Sequence, residues 1–405
     1  MRKNKIVVQK YGGASVSNIE KIKKVAERVA KTAEDYKVVV VVSAMGDTTD
    51  KLTALSKRIT PNPPPRELDM LLTAGERISM SLLSMAINNL GKKAVSFTGS
   101  QVGIVTDTRH AGARILEIRG ERLKNAVKKG FIPIIAGFQG VSTEKEVTTL
   151  GRGGSDTTAV ALAAYLNAER CEIYTDVDGV YTEDPRIFKN VRPLSQITYE
   201  ELTELSDYGA EVMHPRSVML ASYFNVPLVI KNAFKQKGGT VVKKKTMEVP
   251  GVRAIAHKRG LVRFMLEEVP KNPRFVKQAI SMLADNKVNI VFYNHGHPYA
   301  SCFDMHFIVE KKDEKRTEEI LKKFKKETKT KRLSKAGNVW GIFLVGSGIG
   351  RDPEIFKKAM EIIHKEKIHV EGFFSTDLKV GFFVSAKDAK PLIKRFLKEF
   401  GLTKA

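Results

Sequence analysis

The sequence predicts an α/β protein with a large N-terminal domain around a mainly parallel sheet, followed by two smaller modules. Over the first 240 of 405 residues, short runs rich in Val and Ile alternate with longer amphipathic stretches. This alternation is typical of βα units whose sheet is covered on both faces. The remainder contains a degenerate repeat at an offset of 80 residues. With 42% hydrophobic and 28% charged residues, the chain is neither disordered nor collagen-like nor a disulfide scaffold.

The N-terminal domain is predicted to contain six strands and three clear helices. The strands are expected at residues 5–9, 38–43, 93–97, 132–137, 172–175 and 226–230. The helices are expected at residues 20–32, 73–88 and 157–166. Residues 60–65 (TPNPPP) are too rich in proline for a helix interior, which predicts a surface loop. We expect the domain to end in the basic stretch 235–245, with limits of 1–240 and a connecting segment at 241–260.

The repeat predicts two βαββα modules, at residues 261–333 and 334–405. Residues 275–290 align with residues 355–370, so that Ala279 matches Ala359 and Lys287 matches Lys367. Each copy is preceded by one apolar run, followed by another, and closed by a second helical pattern. Neither copy combines a nucleophile with a base, so we interpret both modules as binding rather than catalytic.

The formal net charge of +24 is compatible with nucleic acid, a membrane surface or small anionic substrates as partners. The charge is densest in residues 310–335, where acids are mixed in and Ile320, Leu321 and Phe324 have helical spacing. That pattern indicates the solvated side of an amphipathic helix. No nucleic-acid recognition motif, membrane-length apolar run or signal peptide is found in the sequence. Together with only two cysteines, this predicts a soluble cytoplasmic protein.

The first candidate site is Lys10-Tyr11-Gly12-Gly13, between a predicted strand and a predicted helix. Two adjacent glycines let backbone N–H groups approach an oxyanion closely. The following helix would present the positive end of its dipole to the same anion. Lys10 could add a point charge. A plain βα turn is an equally good interpretation of this motif alone.

The second candidate, residues 151–158 (GRGGSDTT), has three glycines in four positions and leads into an Ala-rich helix. Ser155 or Asp156 is expected to cap that helix, and the planar fork of Arg152 suits a carboxylate or a phosphate. We favour an anion site over a flexible loop.

The third candidate, residues 174–186 (YTDVDGVYTEDPR), follows a strand and combines carboxylates, a tyrosine and an arginine. Such a group suits Mg²⁺ and a purine ring, although a polar turn has the same composition.

Seven strings follow the order and spacing of the aspartate kinases over nearly all of residues 5–240, and the chain resembles that family. They are KYGGASV, VVSAMGDTTD, LLTAGERIS, IAGFQG, GRGGSDTTAVALA, YTDVDGVYTEDPR and YGAEVMHPRSV. The repeat resembles the paired ACT domains of the family. The resemblance implies a three-layer αβα amino-acid-kinase domain followed by two ferredoxin-like ACT modules.

The resemblance also implies a reaction, the transfer of the γ-phosphoryl group of Mg²⁺-ATP to the β-carboxylate of L-aspartate. The product, 4-phospho-L-aspartate, starts the pathway to lysine, threonine and methionine. The residues assigned to catalysis by resemblance are Lys10, Arg152 and Asp156. The residues assigned to ATP are Lys10, Gly12, Gly13, Thr175, Asp176, Tyr181 and Arg186, with Asp176 also assigned to the metal. The residues assigned to aspartate are Ser43, Thr49, Glu76, Arg152, Gly153, Gly154 and Ser155.

Several positions depart from the family pattern. Glu211 stands where many relatives carry Lys, and Ala14 replaces a usual Thr. The ACT repeats keep few of the usual effector residues. The remaining candidates for binding lysine or threonine are Asn272, Asn294, Ser375, Thr376 and Asp377. The resemblance further implies a homodimer formed through the ACT modules and a monofunctional enzyme. The alternatives are a sister amino-acid kinase and an amino-acid sensor without catalytic activity.

Overall fold

The computed structural model describes residues 4–209, 212–236, 238–244, 251–296 and 301–404. These residues divide into two compact units, one that ends at residue 244 and one that extends from residue 251 to residue 403.

The first unit is built on an eight-stranded sheet with the strand order β10-β12-β11-β9-β1-β2-β6-β3. All neighbours are parallel except β11 and β12. The strands of this sheet are β1 (Ile6–Tyr11), β2 (Lys37–Val42), β3 (Ala94–Phe97), β6 (Ile132–Ala136), β9 (Arg170–Thr175), β10 (Gln196–Thr198), β11 (Leu228–Asn232) and β12 (Thr240–Lys243). The six predicted strands are all present, and the mainly parallel sheet is confirmed.

Helices cover both faces of this sheet. They are α1 (Ile19–Thr32), α2 (Thr48–Ile59), α3 (Pro65–Leu72), α4 (Ala74–Asn89), α5 (Glu121–Lys128), α6 (Gly154–Tyr165), α7 (Tyr199–Asp207) and α8 (Pro215–Tyr223). On one face, Val38, Val40 and Val42 share a buried cluster with side chains of α1 and α4. Val39 and Val41 alternate with them and are also fully buried, on the face where α6 packs against β1 and β2. The three-layer αβα arrangement is therefore confirmed.

A second, four-stranded sheet was not predicted. Its order is β5-β4-β7-β8, with β4 at Ile104–Thr106, β5 at Ile115–Ile118, β7 at Gln139–Ser142 and β8 at Val147–Thr149. The strands have three or four residues each, too few to show a period in the sequence. They matter for the site because β8 leads directly into the second glycine-rich motif.

Helices α3 and α4 together form an apolar stretch, Pro65–Asn89, which passes the length and composition criteria for a membrane span within the described residues. Half of the 18-residue window that meets these criteria is buried inside the unit, with Leu83 and Ile87 fully enclosed. Packing in the domain core accounts for its apolar character. The proline-rich residues 60–65 connect α2 to α3, and Pro65 is the first residue of α3.

The second unit consists of a six-stranded antiparallel sheet and four helices. The sheet order is β14-β15-β13-β16-β18-β17. The strands are β13 (Ala254–Pro270), β14 (Ile290–His295), β15 (Cys302–Glu310), β16 (Arg332–Val345), β17 (Val370–Thr376) and β18 (Lys379–Ser385). The helices are α9 (Pro273–Asp285), α10 (Glu314–Thr328), α11 (Pro353–Lys365) and α12 (Ala386–Glu399). Chain order thus gives two βαββα modules, as the repeat predicts.

The repeat is visible in single residues. Ala279 and Ala359 are both fully buried, and Lys287 and Lys367 both adopt left-handed backbone, with φ of 57° and 54°. The helix α10 buries Ile320, Leu321 and Phe324, as its spacing predicts. 

The two long strands β13 and β16 pair along most of their length and link the modules. Ala254 pairs with Val345, and Glu267 pairs with Arg332, so each of these strands takes part in both modules. Residues 254–260, which we expected to belong to a connecting segment, are therefore part of the sheet. Likewise, the basic stretch at 235–245 contributes β12 to the first unit.

Candidate active site

Four neighbouring parallel strands end at the same edge of the eight-stranded sheet. Tyr11 at the end of β1 pairs in register with Val42 of β2 and with Tyr174 of β9, while Thr175 of β9 pairs with Asn232 of β11. The loops that follow these strands carry the first and third motifs, and the second motif begins α6, which packs against β1. The three predicted motifs are thus brought to one edge of the sheet.

A buried carboxylate holds Lys10. The Nζ of Lys10 lies 2.6 Å from Oδ1 of Asp156, and the side chains of Lys10 and Asp156 are only 12% and 10% exposed. A methyl group added at Gly12 would lie 3.5 Å from this ammonium. Because a charged group removed from water is stabilised only when it is paired, the pair fixes the Lys10 cation beside the backbone of Gly12.

Gly13 is required by a close backbone approach. A methyl group here would lie 2.9 Å from the carbonyl oxygen of Ala44 and 3.0 Å from that of Gly46. The N–H of Gly46 also donates to the carbonyl of Gly13 at 3.1 Å. Close packing against the loop after β2 explains why residue 13 is a glycine, without any need for a ligand. Gly12, in contrast, is the glycine that lies beside the Lys10 ammonium.

The second motif is tightly packed rather than a flexible loop. Gly153 has a φ of 69°, and a methyl group on it would lie 2.1 Å from Cβ of His214. A methyl group on Gly154 would lie 2.7 Å from the ring of Phe138. Only glycine satisfies both the backbone angle and the contact at residue 153.

The expectation that Ser155 or Asp156 caps α6 is wrong. The N-cap is Gly153, and no side chain caps the helix. Ser155 instead accepts a hydrogen bond from Oγ of Ser43 at 3.1 Å, and Asp156 pairs with Lys10. Ser155 and Asp156 thus contact residues at the ends of β2 and β1. Because both lie in the first turn of α6, the positive end of the α6 dipole lies at the same edge of the sheet as the Lys10 ammonium.

Glu76 is a buried carboxylate with a free oxygen. It lies in the first turn of α4 and is 3% exposed. Its Oε1 accepts the N–H of Ala44 at 3.2 Å, whereas its Oε2 has no hydrogen-bond partner among the described residues. Burial raises the pKa of Glu76 to about 7, although bonds from backbone N–H groups act in the opposite direction. The site therefore contains a carboxylate that a cation would satisfy.

Two further predicted residues, Thr49 and Arg152, lie around the same loops. Thr49 is half-buried at the start of α2. Arg152 is exposed, and it makes no ion pair with any part of the chain that the structure describes. Its guanidinium is thus available to an anion from solvent.

The third motif forms a hydrogen-bonded loop after β9. Oγ1 of Thr175 donates to Oδ1 of Asp176 at 3.0 Å, and the hydroxyl of Tyr181 donates to Asp178 at 3.3 Å. Arg186 donates two bonds to the carboxylate of Asp184, from Nε and Nη2, each at 3.0 Å. The loop is a defined structure, and Asp176 is its exposed carboxylate.

Sequence reasoning missed two residues of this loop's surroundings. Nδ2 of Asn232 donates to the carbonyl of Asp176 at 3.1 Å and to Oδ1 of Asp178 at 3.0 Å. Nζ of Lys235 lies 2.7 Å from Oδ2 of Asp178. The signal was available, because both residues follow a predicted strand whose end belongs at the same edge.

The remaining predicted residues lie elsewhere. In the second unit, Asn272 caps α9, and Asn294 is exposed on β14. Ser375 and Thr376 end β17, and the adjacent Asp377 pairs with Arg351. Glu211 lies outside the described residues.

A family model described as the amino acid kinase family matches residues 5–232. The aspartokinases of Mycolicibacterium smegmatis and Corynebacterium glutamicum are each 40% identical to the chain, over 98% of its length and 96% of theirs. The chain belongs to the aspartokinases of the amino acid kinase family. It is accordingly a phosphotransferase of the class that uses a carboxyl group as acceptor. Membership of the aspartokinases therefore takes precedence over the alternative of a sister amino-acid kinase.

Solved aspartokinases have the same fold. Aspartokinase III of E. coli in complex with aspartate and ADP superimposes with a TM-score of 0.81 at 23% identity, covering 98% of this chain and 100% of that one. The aspartate kinase of Clostridium acetobutylicum gives 0.78 at 22% identity, covering 97% and 100%. The amino-acid-kinase domain followed by two ACT modules is thus the fold of this aspartokinase.

Proposed function

We propose that this aspartokinase transfers the γ-phosphoryl group of ATP to the β-carboxylate of L-aspartate, giving ADP and 4-phospho-L-aspartate in the cytoplasm. The reaction would be the first step towards lysine, threonine and methionine. The names of the relatives support the substrate, as does the aspartate and ADP complex of the E. coli structure. The structural observation that carries the proposal is the buried Glu76.

Glu76 selects for an acceptor with an ammonium group. Its Oε2 is enclosed and lacks a partner among the described residues, and burying an ionised carboxylate is costly unless it is paired. The ammonium of an amino acid would supply that pair. N-acetylated or nitrogen-free dicarboxylates could not, which distinguishes aspartate from acetylglutamate as a substrate.

The other acceptor contacts would come from the second motif and the loop after β2. The guanidinium fork of Arg152 would take a carboxylate with two parallel hydrogen bonds. The paired hydroxyls of Ser43 and Ser155 would face the same substrate. Thr49 and the backbone of Gly153 and Gly154 would complete the site.

The nucleotide would lie along the ends of β1 and β9. Lys10 and the backbone of Gly12 and Gly13 would hold the phosphates, with Asp156 keeping the Lys10 ammonium in place. The base and ribose would contact the loop that contains the remaining predicted residues, Thr175, Asp176, Tyr181 and Arg186.

Mg²⁺ would arrive with ATP and neutralise phosphate charge. The exposed carboxylate of Asp176 fits one position in its coordination sphere. Asp178 is already bound by Lys235 and Asn232, and the described residues contain no group of three metal-ligating side chains. The metal would therefore depend mainly on the phosphate oxygens.

The proposed chemistry needs no general base. The β-carboxylate of aspartate has a pKa of about 3.9 and is already ionised at neutral pH. The obstacle is the approach of an anion to a polyphosphate, which is overcome by positioning and positive charge. Lys10 would stabilise the negative charge that develops during transfer, while Arg152 and Glu76 would orient the acceptor.

The ACT modules would regulate and assemble the enzyme. We expect lysine or threonine to bind beside Asn272 and Asn294, or beside residues 375–377, and a homodimer to form through the modules. The lysine complex of E. coli aspartokinase III supports an effector of this class.

An acceptor panel tests the function. The assay couples ADP release to NADH oxidation and traps the acyl phosphate with hydroxylamine, using L-aspartate, L-glutamate, N-acetyl-L-glutamate and succinate as acceptors. We expect hydroxamate only with L-aspartate. Turnover with succinate at a similar kcat/KM would contradict the role of Glu76, and no turnover with any acceptor would indicate an amino-acid sensor.

A further inference from the structure

The segment His214-Pro215-Arg216-Ser217 has no role in the proposed function, yet it contacts the second motif directly. His214 packs against Gly153, at the place where any β-carbon would collide. Arg216 lies in the first turn of α8 and is partly buried. Its Nη1 donates to the carbonyl of Leu150 at 2.8 Å, and its Nη2 donates to the carbonyl of Ala113 at 2.9 Å.

These two carbonyls lie on either side of the glycine-rich loop. Leu150 immediately precedes Gly151 in the chain. Ala113 belongs to the segment that covers the loop, because a methyl group on Gly151 would lie 3.2 Å from the carbonyl of Ala111 in the same segment. One guanidinium therefore ties the start of the loop to the segment packed on it.

The environment of Arg216 indicates that these bonds are its main role. It forms no salt bridge with a carboxylate among the described residues, although its side chain is partly buried. Burial, and then the positive charge of Arg114, lower the pKa of Arg216. A cation retained in such a place needs strong acceptors, and a planar fork can donate to two carbonyls at fixed geometry where a lysine cannot.

We propose that Arg216 is a positioning residue for the acceptor site. It holds the backbone from Leu150 onwards so that Arg152, two residues later, presents its guanidinium to the substrate carboxylate. This inference rests on the proposed role of Arg152. Because Arg152 lies only two residues after Leu150 and the loop does not include the third motif, the effect should fall more on the acceptor than on the nucleotide.

The kinetic test compares Arg216→Lys, Arg152→Lys, the double variant and Arg58→Lys, a matched control on the exposed side of α2. We expect Arg216→Lys to raise KM for aspartate about ten-fold or more, with a much smaller change in KM for ATP and a modest fall in the thermal midpoint from the lost hydrogen bond. The double variant should be little worse than Arg152→Lys alone, because Arg216 acts through that residue. Additive effects, or equal rises in the two KM values, would overturn the proposal.

A second readout does not depend on the substrate. Arg152 is an exposed trypsin site, and trypsin cleaves mobile loops faster than fixed ones. We expect cleavage between residues 152 and 153, identified by mass spectrometry, to accelerate in Arg216→Lys and to stay unchanged in Arg58→Lys. If the native enzyme does not phosphorylate aspartate but cleavage accelerates, the substrate assignment fails while the positioning role stands. Unchanged cleavage would refute the positioning role itself.

Discussion

At the residue scale, the pair of Lys10 and Asp156 is the most exacting arrangement in the catalytic unit. A partly enclosed ammonium 2.6 Å from a carboxylate has a fixed position before substrates bind. Such preorganised charge is what stabilises a transition state without reorganisation during the reaction.

Replacement of Lys10 by Met should lower kcat by about two orders of magnitude or more, the scale for removing a preorganised electrostatic group. Steady-state assays with ATP and aspartate measure this effect. Because Asp156 would be left as an unpaired buried carboxylate, the Lys10→Met/Asp156→Asn double variant serves as the stability control. We expect it to recover the thermal midpoint but not kcat. A near-native kcat in either variant would remove Lys10 from the reaction.

Glu76 predicts a pH dependence specific to the acceptor. With a pKa of about 7, Glu76 is largely protonated at pH 6 and largely ionised at pH 8. Since only the ionised form attracts an ammonium, kcat/KM for aspartate should rise through pH 7 in wild-type enzyme. In Glu76→Gln it should be low and flat across this range, while kcat/KM for ATP serves as the internal control. An unchanged inflection near pH 7 in Glu76→Gln would assign the titration to another group.

Single residues also show where sequence reasoning ends. Lys10 and Gly12 could be proposed from their own motif, because it lies between a strand and a helix, whereas Glu76 could be proposed only from the resemblance to the aspartate kinases. The ion pair between Lys10 and Asp156 and the hydrogen bond between Ser43 and Ser155 each join segments that are more than a hundred residues apart in the chain. No local period encodes such a contact, and for that reason the predicted cap of α6 was wrong.

At the element scale, the second motif depends on Gly153, which differs from an ordinary left-handed glycine. Gly130 lies two residues after the end of α5 and has a φ of 79°, and a methyl group on it would have nothing within 4 Å. Gly153 has a similar φ of 69° but faces Cβ of His214 at 2.1 Å. Replacing Gly130 by alanine would therefore cause backbone strain alone, whereas replacing Gly153 would cause backbone strain and a collision with His214.

Gly130→Ala should cost about 1 kcal/mol of stability, the penalty of left-handed backbone, and leave KM for aspartate unchanged. Gly153→Ala must in addition displace His214 or the loop, so we expect a larger loss of stability and a raised KM for aspartate. Urea unfolding followed by steady-state kinetics measures both quantities. Equal behaviour of the two variants would mean that the loop is free to move away from α8.

Elements were predictable where their pattern was long. The six predicted strands, each expected to span four to six residues, and the helices α1, α4 and α6 all appear close to their expected limits. The strands β4, β5, β7 and β8 have three or four residues and are fixed by pairing with one another rather than by their own composition. The extent of β13 likewise depends on its pairing with β16, which explains why residues 254–260 looked like a connection.

At the scale of the whole molecule, the second unit is the part on which the proposed effectors would act. Its modules share the strands β13 and β16, so a ligand that stiffens one module acts on a sheet that belongs to both. The turn Ile349–Arg351 packs against the end of β17, where a methyl group on Gly350 would collide with the carbonyl of Thr376. Arg351 also forms an ion pair with Asp377.

This arrangement bears on the proposed effector site of the second module. Arg351 and Asp377 carry the charges that an amino-acid effector would need, one for its carboxylate and one for its ammonium. In the structure they satisfy each other at the surface, where both side chains are more than 60% exposed. Exposed ion pairs are weak, so an effector with both charges could replace the pair at small cost.

We therefore expect lysine or threonine to raise the thermal midpoint of the enzyme and the Arg351→Ala/Asp377→Ala variant to lose that shift. Thermal unfolding with each of lysine, threonine and methionine measures the effect, and light scattering on the same samples should give the mass of a dimer.

If an effector binds and weakens the binding of aspartate or ATP, linkage requires that substrate to weaken the binding of the effector by the same factor. Isothermal titration with and without substrates checks that reciprocity. A monomer at micromolar concentration would refute assembly through the modules, and the absence of any shift in the native enzyme would show an aspartokinase without end-product control.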